Sequence, residues 1–364
     1  MQFSIYRIFP GILFSFIIAY TGIFLSHFIG SELLNLNKSP ISPIMLSIII
    51  GLIIGNIIKI PLIFSEGINF SLKIILRLGI ICLGIRLGLL DILKVGLIGI
   101  PLIITCIIIS ILFVNYFCKL LNVPSKIGSL IAVGTSICGA SAIVATSPAI
   151  NANKEEVTYA IANITIFGII AMFVYPFLAH YLFSGNELSI GLFLGTSIHE
   201  TAQVAGAGLI YSEQYSSQIT MDIATVTKLV RNISMIVVIP LISFLYLKNS
   251  IDKKNTKPSI LSMFPLFIIG FIFMGLIRSI GDYGIQSSDK AFGIFLIYQW
   301  ELTIHYIRSI AEYSLAIAMA AVGLSTNLIS LRSLGIRPFY VGFTAALSVG
   351  FVSYIGIIFL NFFI

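Results

Sequence analysis

A four-residue sequence, Gly-Thr-Ser-Ile, occurs twice in this chain, each time inside a long apolar stretch. The first copy covers residues 134–137 and the second covers residues 195–198. Small and polar residues therefore crowd two segments where a helix facing lipid would carry leucine and isoleucine. Because the backbone can open at glycine, a duplicated and glycine-interrupted membrane segment is the sequence feature that best indicates the binding site of a secondary transporter.

The composition places the chain in a membrane. Of its 364 residues, 58% are hydrophobic and 10% are charged, and the mean hydropathy is +1.07. Apolar runs of about 20 residues recur, and each is long enough to cross a lipid bilayer, so we expect an all-α polytopic membrane protein with about 10–11 transmembrane helices. The net charge of +7 is explained mostly by basic loops and does not indicate binding of nucleic acid.

The predicted spans are joined by short linkers and form a single membrane domain over residues 1–364. They cover residues 9–29, 41–58, 68–90, 95–117, 127–149, 157–182, 188–210, 222–247, 259–280, 301–326 and 338–362. The longest polar linker, residues 248–258, carries four lysines against one aspartate. Because basic loops stay on the cytoplasmic side, we expect this linker and the N-terminus to be cytoplasmic.

Two internal matches predict inverted repeats. Each Gly-Thr-Ser-Ile segment precedes a helix with a proline near its end, which gives a first unit at about 127–182 and a second at about 188–247. Residues 83–90 also match residues 322–329, and in the predicted topology these segments run in opposite directions. The two matches have different offsets, and chance similarity between apolar helices is the alternative explanation of the second.

The glycine motifs predict that two spans are broken helices or re-entrant segments. An unwound backbone frees N–H and C=O groups that lipid cannot satisfy, so a break must face protein, water or a ligand. A half-helix that starts at the break directs free N–H groups inward, and nearby hydroxyls add donors for an anion or another small polar ligand. The candidate substrate-binding residues are Gly134, Thr135, Ser136, Gly139, Ser141, Gly195, Thr196 and Ser197. Tight helix packing through small residues is the alternative.

The second copy continues into an ionisable pair, His199–Glu200, where the first copy has Cys138–Gly139. Ionisable residues inside a membrane segment are functional candidates by default. We assign both to coupling or gating, because Glu200 could carry a proton and histidine titrates near physiological pH. A structural pair, or a segment end at the membrane interface, is the alternative. No second histidine or cysteine is spaced for zinc, so we predict neither a metal nor a cofactor.

Lys228, Arg231 and Arg86 also lie within predicted spans, where they could neutralise the charge of a substrate. Charged groups at this depth normally face the bundle interior. Cations outnumber obvious intramembrane carboxylates, which favours an anionic substrate, and snorkelling to the interface is the alternative. Four titratable residues share one face of a later predicted helix: Glu301, His305, Arg308 and Glu312. We interpret this charged stripe as mainly structural, and a proton or ion path is the alternative.

Both motifs, in their extended form, resemble a known family. The resemblance rests on Gly134-Thr-Ser-Ile-Cys-Gly-Ala-Ser-Ala-Ile143, Gly195-Thr-Ser-Ile-His-Glu-Thr-Ala-Gln-Val204, Ala205-Gly-Ala-Gly208, Lys228-Leu-Val-Arg231-Asn232 and Val322-Gly-Leu-Ser-Thr-Asn327. They are similar to the YeiH-like family of bacterial inner-membrane proteins, which carries a sulfate-exporter label. The resemblance covers almost the whole chain and implies a multi-pass plasma-membrane transporter. It also implies a distant relation to the cation/proton antiporter and bile-acid symporter group, whose fold uses inverted repeats with crossing, broken helices.

These observations lead to one main functional hypothesis. We expect a secondary active transporter that exports a small anion, such as sulfate, another oxoanion or an organosulfonate, coupled to a proton or to sodium. The alternative is a cation/proton antiporter of the same general fold. An enzyme is not expected, because neither GxSxG nor HExxH occurs, and the chain has no GxxxxGK[ST] nucleotide motif. A homo-oligomer is compatible with the sequence.

Overall fold

The computed structural model describes residues 5–34, 39, 41–248, 265–326 and 336–362. These residues are almost entirely helical, so the chain is an all-α polytopic membrane protein, as predicted. Residues 249–258 of the basic linker and residues 327–329 of the second internal match lie outside the described residues. The cytoplasmic N-terminus and the inverted repeats therefore stay predictions.

The helices follow one another with short connections. The first ones are α1 (Ile5–His27, continued by a π-helical end at Phe28–Leu33), α2 (Pro43–Ile57), α3 (Leu62–Phe70), a π-helical turn (Ser71–Ile75), α4 (Leu76–Leu83) and a 3-10 turn (Gly84–Arg86). The middle ones are α5 (Leu89–Leu120), α6 (Ser125–Ser136), α7 (Ala140–Thr146), α8 (Lys154–Leu182), α9 (Glu187–Ser197), α10 (Thr201–Tyr215), α11 (Gln218–Ile233) and α12 (Met235–Lys248). The last elements are α13 (Phe267–Ser288), the antiparallel strands β1 (Lys290–Ala291) and β2 (Phe295–Leu296), α14 (Ile297–Ser325) and α15 (Ile336–Leu360).

Among the described residues, eight helical stretches are long and apolar enough to span a membrane. They are Tyr6–Leu33, Leu62–Arg86, Leu89–Leu120, Lys154–Leu182, Gln218–Ile242, Phe267–Ser288, Ile297–Ser325 and Phe339–Leu360. The shorter α2 and the interrupted pairs α6–α7 and α9–α10 fall on the three other predicted spans. The span predicted at 259–280 differs most, because its helix continues to Ser288. Arg278 and Asp282 form an ion pair one helical turn apart across the predicted end of this span.

The chain divides into two compact units. Unit 1 comprises Met1–Val95, Ser212–Ser216 and Leu266–Thr326, and unit 2 comprises Gly96–Tyr211, Ser217–Pro265 and Asn327–Ile364. Both Gly-Thr-Ser-Ile copies lie in unit 2. Within unit 1, α2 and α14 approach closely at Gly51 and Gly323, because a Cβ on Gly323 would lie 2.4 Å from the Ile48 carbonyl oxygen. In a membrane the hydrophobic effect does not drive helices together, and small residues allow the close backbone packing that stabilises them instead.

In unit 2, α9 packs against α11 through glycine as well. A Cβ on Gly195 would lie 2.6 Å from the Thr227 Cβ and 2.7 Å from the Ala224 carbonyl oxygen, and Gly191 has a similar contact with Ile223. Glycines four residues apart lie on one helical face, so this side of α9 can touch the α11 backbone. The contact brings the end of α9 beside the residues that follow Thr227.

Candidate functional site

The first Gly-Thr-Ser-Ile copy ends one helix of unit 2 and leads into the next. Helix α6 closes at Ser136, and α7 begins at Ala140. Between them Gly139 has φ 67° and ψ −128°. Residues with a Cβ rarely adopt this conformation, so glycine is needed where the chain turns into α7. The predicted break at the first motif is confirmed.

The second copy breaks its helix after the same serine of the motif. Helix α9 closes at Ser197, Ile198 is extended with φ −87° and ψ 141°, and α10 begins at Thr201. His199 and Glu200 therefore lie in the break itself. We call residues 134–140 and 195–201, together with Lys228 and Arg231, the break cluster.

Lys228 of α11 links the two breaks. Its side chain is fully buried, and its ammonium donates to the Ile137 and Ile198 carbonyl oxygens, each at 2.9 Å. It also donates to the carbonyl oxygen of His199. Ile137 and Ile198 are the same position in the two copies of the motif. Each of the three ammonium protons thus has a backbone acceptor.

Arg231, one helical turn further along α11, makes a second link and is also fully buried. Its Nε donates to the Ser136 carbonyl oxygen at 2.8 Å, and its Nη2 donates to that of Thr135. Its Nη1 donates to the carbonyl oxygens of Thr196 and Ile198. Thr135 and Thr196 are again equivalent positions, so one guanidinium fork binds the same carbonyl of both copies.

The helix dipole explains why cations bind here. The last carbonyls of a helix have no partner within the helix and together carry about half a negative charge. Helices α6 and α9 both end inside unit 2, so cations that donate to both ends are attracted by both dipoles. This attraction compensates for the hydration that the cations lose on burial. Sequence reasoning expected free N–H groups at the breaks to face a ligand. The shared feature of the two breaks is instead a set of carbonyls bound by Lys228 and Arg231.

Glu200 connects the second break with the start of α7. Its Oε1 accepts hydrogen bonds from the Ala140 backbone N–H at 3.2 Å and from the Thr165 hydroxyl at 3.4 Å. Gln203 supports this position, because its Oε1 accepts from the Glu200 N–H at 3.2 Å and its Nε2 donates to the Thr165 carbonyl at 3.0 Å. The half-buried carboxylate of one copy is thereby bound to the opened backbone of the other.

Three buried side chains of this region each keep a polar atom without a hydrogen-bond partner. These atoms are His199 Nδ1, Thr227 Oγ1 and Asn232 Oδ1. The amide nitrogen of Asn232 donates to the Thr201 hydroxyl at 2.9 Å, at the start of α10. An unsatisfied buried polar atom costs about 1–3 kcal/mol, so such atoms mark places where water or a ligand can bind.

Several predicted hydroxyl donors are engaged within their own helices. The hydroxyls of Thr196 and Ser197 donate to carbonyls four residues earlier, and that of Ser136 donates three residues earlier. Thr196 also hydrogen-bonds to Ser353 of α15 at 2.6 Å, whereas Ser141 is exposed. Such back-bonds satisfy the hydroxyls locally and bend the helix. To donate to an anion, these hydroxyls would have to give up their present hydrogen bonds. Their role in anion binding therefore stays a prediction.

Arg86 belongs to unit 1, whereas the other predicted cations, Lys228 and Arg231, belong to unit 2. It ends the 3-10 turn after α4 in unit 1, and its guanidinium lies 3.8 Å from the Glu312 carboxylate of α14. The Arg86 side chain is 2% exposed, so this ion pair explains how the charge is accommodated. The assignment of Arg86 to substrate binding stays a prediction.

Three residues that complete the site are not among the predicted substrate-binding and coupling residues. They are Thr165, Gln203 and Asn232. Gln203 carried a signal, because it continues the polar run that begins at His199. Thr165 carried none, since it contacts Glu200 from a helix 35 residues away in sequence.

Gly139→Ala is expected to impair both stability and function. The positive φ costs about 1–3 kcal/mol for a residue with a Cβ. In addition, that Cβ would lie 2.2 Å from the Glu200 Cγ and would displace the carboxylate. Gly185→Ala is the matched control, because Gly185 has φ 79° and its nearest neighbour would be 3.7 Å away. Thermal unfolding of the two purified variants should separate them. Equal losses of stability would contradict the contact between Gly139 and Glu200.

The described fold and site define a polytopic helical membrane protein in which two interrupted helices are joined by buried cations. Residues 10–342 match the family model described as conserved hypothetical protein 698, and the chain belongs to this family. It is 34% identical over 312 residues to a UPF0324 membrane protein of Fusobacterium nucleatum subsp. nucleatum, covering 84% of this chain and 87% of that protein. The predicted kinship with YeiH-like membrane proteins is consistent with this family and is confirmed at that level.

Other relatives cover still more of the chain. A UPF0324 membrane protein of Streptococcus agalactiae serotype V is 31% identical over 344 residues, or 94% of this chain and 95% of that protein. One from Clostridium tetani is 29% identical over 357 residues, covering 95% of each chain. These similarities support a bacterial multi-pass membrane protein.

Proposed function

We propose that the protein is a secondary active transporter for a small anion, such as sulfate, another oxoanion or an organosulfonate, in the bacterial inner membrane. The proposal includes a cytoplasmic N-terminus. The observation that supports transport of an anion is the charge of the break cluster. The cluster contains two fully buried cations, Lys228 and Arg231, and one acidic residue, Glu200, which accepts from the Ala140 N–H. Excess positive charge beside broken membrane helices favours an anionic solute.

The same charges supply a mechanism for coupling to protons. A proton on Glu200 would remove the negative charge and leave two positive charges in the cluster. An anion would then bind more tightly, and by reciprocity a bound anion would favour the protonated carboxyl group. The Nδ1 atom of the His199 ring is buried in the cluster without a hydrogen-bond partner, so it could form a hydrogen bond with the anion. Proton and anion would thus occupy the cluster together.

A cation/proton antiporter is the second candidate, and the carboxylate of Glu200 favours it as a cation ligand. The carbonyls of the two breaks would be the other natural ligands of a metal cation. Lys228 and Arg231 already bind those carbonyls. A transported cation would have to displace the Lys228 ammonium, whereas an anion needs no such exchange.

Flux through proteoliposomes tests this function. Vesicles containing the purified protein are loaded with radiolabelled sulfate, and efflux is followed with and without an imposed pH gradient. We expect efflux above that of protein-free vesicles, a response to the gradient, and inhibition by unlabelled sulfate or isethionate. Sodium-driven proton movement that requires no anion would contradict the proposal and support the antiporter.

A further inference from the structure

A charged cavity lies between α13 and α14 in unit 1. Its volume is about 300 Å³, at the lower end for small-molecule sites. It is lined by Arg278, Glu301, Ile304, His305 and Arg308. Two guanidinium groups, an imidazole and a carboxylate therefore share one space, and none of them belongs to the break cluster. The charged stripe that the sequence indicated on α14 supplies most of this lining.

The Arg278 side chain is held in place before any ligand binds. Its Nε lies 2.5 Å from Asp282 Oδ2, and Asp282 Oδ1 accepts a hydrogen bond from the Trp300 indole at 2.9 Å. Trp300 is buried, and the Phe292 ring packs edge-on against it at 5.5 Å. A guanidinium fixed in this way loses less conformational freedom when it binds a phosphate.

The surroundings of the cavity place it at the depth of lipid headgroups. Its residues lie in the polar parts of two membrane helices, because the apolar run of α13 ends at Arg278 and the first half of α14 carries Glu301, His305 and Arg308. The short hairpin of β1 and β2 joins these two polar parts. Tyr283, Tyr298 and Tyr306 are strongly exposed on the same polar parts of the two helices. Exposed tyrosines of membrane proteins concentrate at the interface between lipid and water. Glu301 and His305 are also exposed, so the cavity can be reached from outside the protein.

We propose that this cavity binds the phosphoethanolamine headgroup of a membrane lipid. Arg278 and Arg308 provide the planar donors that suit a phosphate, and Glu301 provides an acceptor for the primary ammonium. The charges favour a zwitterion, because Asp282 and Glu301 balance the two arginines. A purely anionic headgroup would meet the Glu301 carboxylate, and choline has no N–H to donate to it.

Competition between lipids, measured by native mass spectrometry of the delipidated full-length protein, tests this site. We expect phosphatidylethanolamine to bind in preference to phosphatidylglycerol and phosphatidylcholine. Glu301→Gln should lower that preference about tenfold, the cost of one charge-assisted hydrogen bond. Asp289→Asn is the matched control, because Asp289 is exposed at the end of α13 and does not line the cavity. Its left-handed conformation (φ 54°) suits asparagine, so this control should bind like wild type.

Removal of an arginine that binds the phosphate provides a second test. Arg308→Gln should weaken binding of all three lipids about tenfold, while Lys290→Gln, which removes a positive charge from β1 outside the cavity, should not. Glu301 is exposed, so Glu301→Gln tests the site even if Arg308→Gln fails to fold. Equal binding of the three lipids, or an unchanged preference in Glu301→Gln, would overturn the proposal. If soluble phosphoethanolamine protects the protein against unfolding but none of the lipids binds, the assignment of the cavity to a lipid would be overturned.

Discussion

Lys228→Met is expected to destabilise the protein by about 3–5 kcal/mol and to abolish solute flux. The change leaves the carbonyl oxygens of Ile137, Ile198 and His199 without their donor in a fully buried position. It also removes the positive charge that offsets the ends of α6 and α9. Thermal unfolding in detergent, followed by the loss of monodisperse protein on size-exclusion chromatography, measures the effect.

Lys126→Met is the matched control. Lys126 also donates to a backbone carbonyl, that of Asn151 at 2.7 Å, but this contact is exposed. Its loss should change the free energy of unfolding by about 0.5 kcal/mol or less and leave flux intact. A Lys228 variant that is as stable and as active as the Lys126 variant would show that the carbonyl contacts of Lys228 do not hold the break cluster.

Glu200→Gln is expected to uncouple sulfate movement from the pH gradient. Glutamine keeps the shape of the side chain and can still accept from the Ala140 N–H, but it cannot gain or lose a proton. Sulfate should still cross the membrane down its own gradient. Accumulation driven by a pH gradient should fall about tenfold, as expected for a coupling free energy of 1–3 kcal/mol. Flux into proteoliposomes at several imposed gradients measures this loss.

Glu213→Gln provides the comparison. Glu213 is an exposed residue near the far end of α10, the helix that directly follows Glu200, so its variant removes the same charge away from the break. Coupling in this variant should match that of wild type. If Glu200→Gln retains the full response to the pH gradient, the coupling proton is carried by another group.

The membrane helices and the two breaks could be predicted because their causes are local. Apolar runs give the spans directly, and glycine marks where the backbone can turn. Gly139 is the clear case, since its left-handed conformation starts α7 at the predicted place. The depth of Lys228 and Arg231 was also predictable, because both interrupt an apolar run and a charge inside a membrane faces the protein interior.

The partners of those cations could not be predicted, because every residue carries the same backbone carbonyl. A binding site made of the carbonyls of Ile137 and Ile198 leaves no trace in residue type, whereas the hydroxyls beside them are visible in the sequence. The ion pair of Arg86 could not be predicted for another reason. Unit 1 joins segments that are distant in sequence, and Arg86 meets Glu312 only after those segments pack together.

Equilibrium binding of radiolabelled sulfate and radiolabelled sodium to one purified preparation tests the central claim most directly. If the break cluster is an anion site coupled to Glu200, sulfate binds saturably, and its affinity rises as the pH falls. That pH dependence is absent in Glu200→Gln. Binding of sodium at every pH, with no binding of sulfate or any competing anion, would contradict the account.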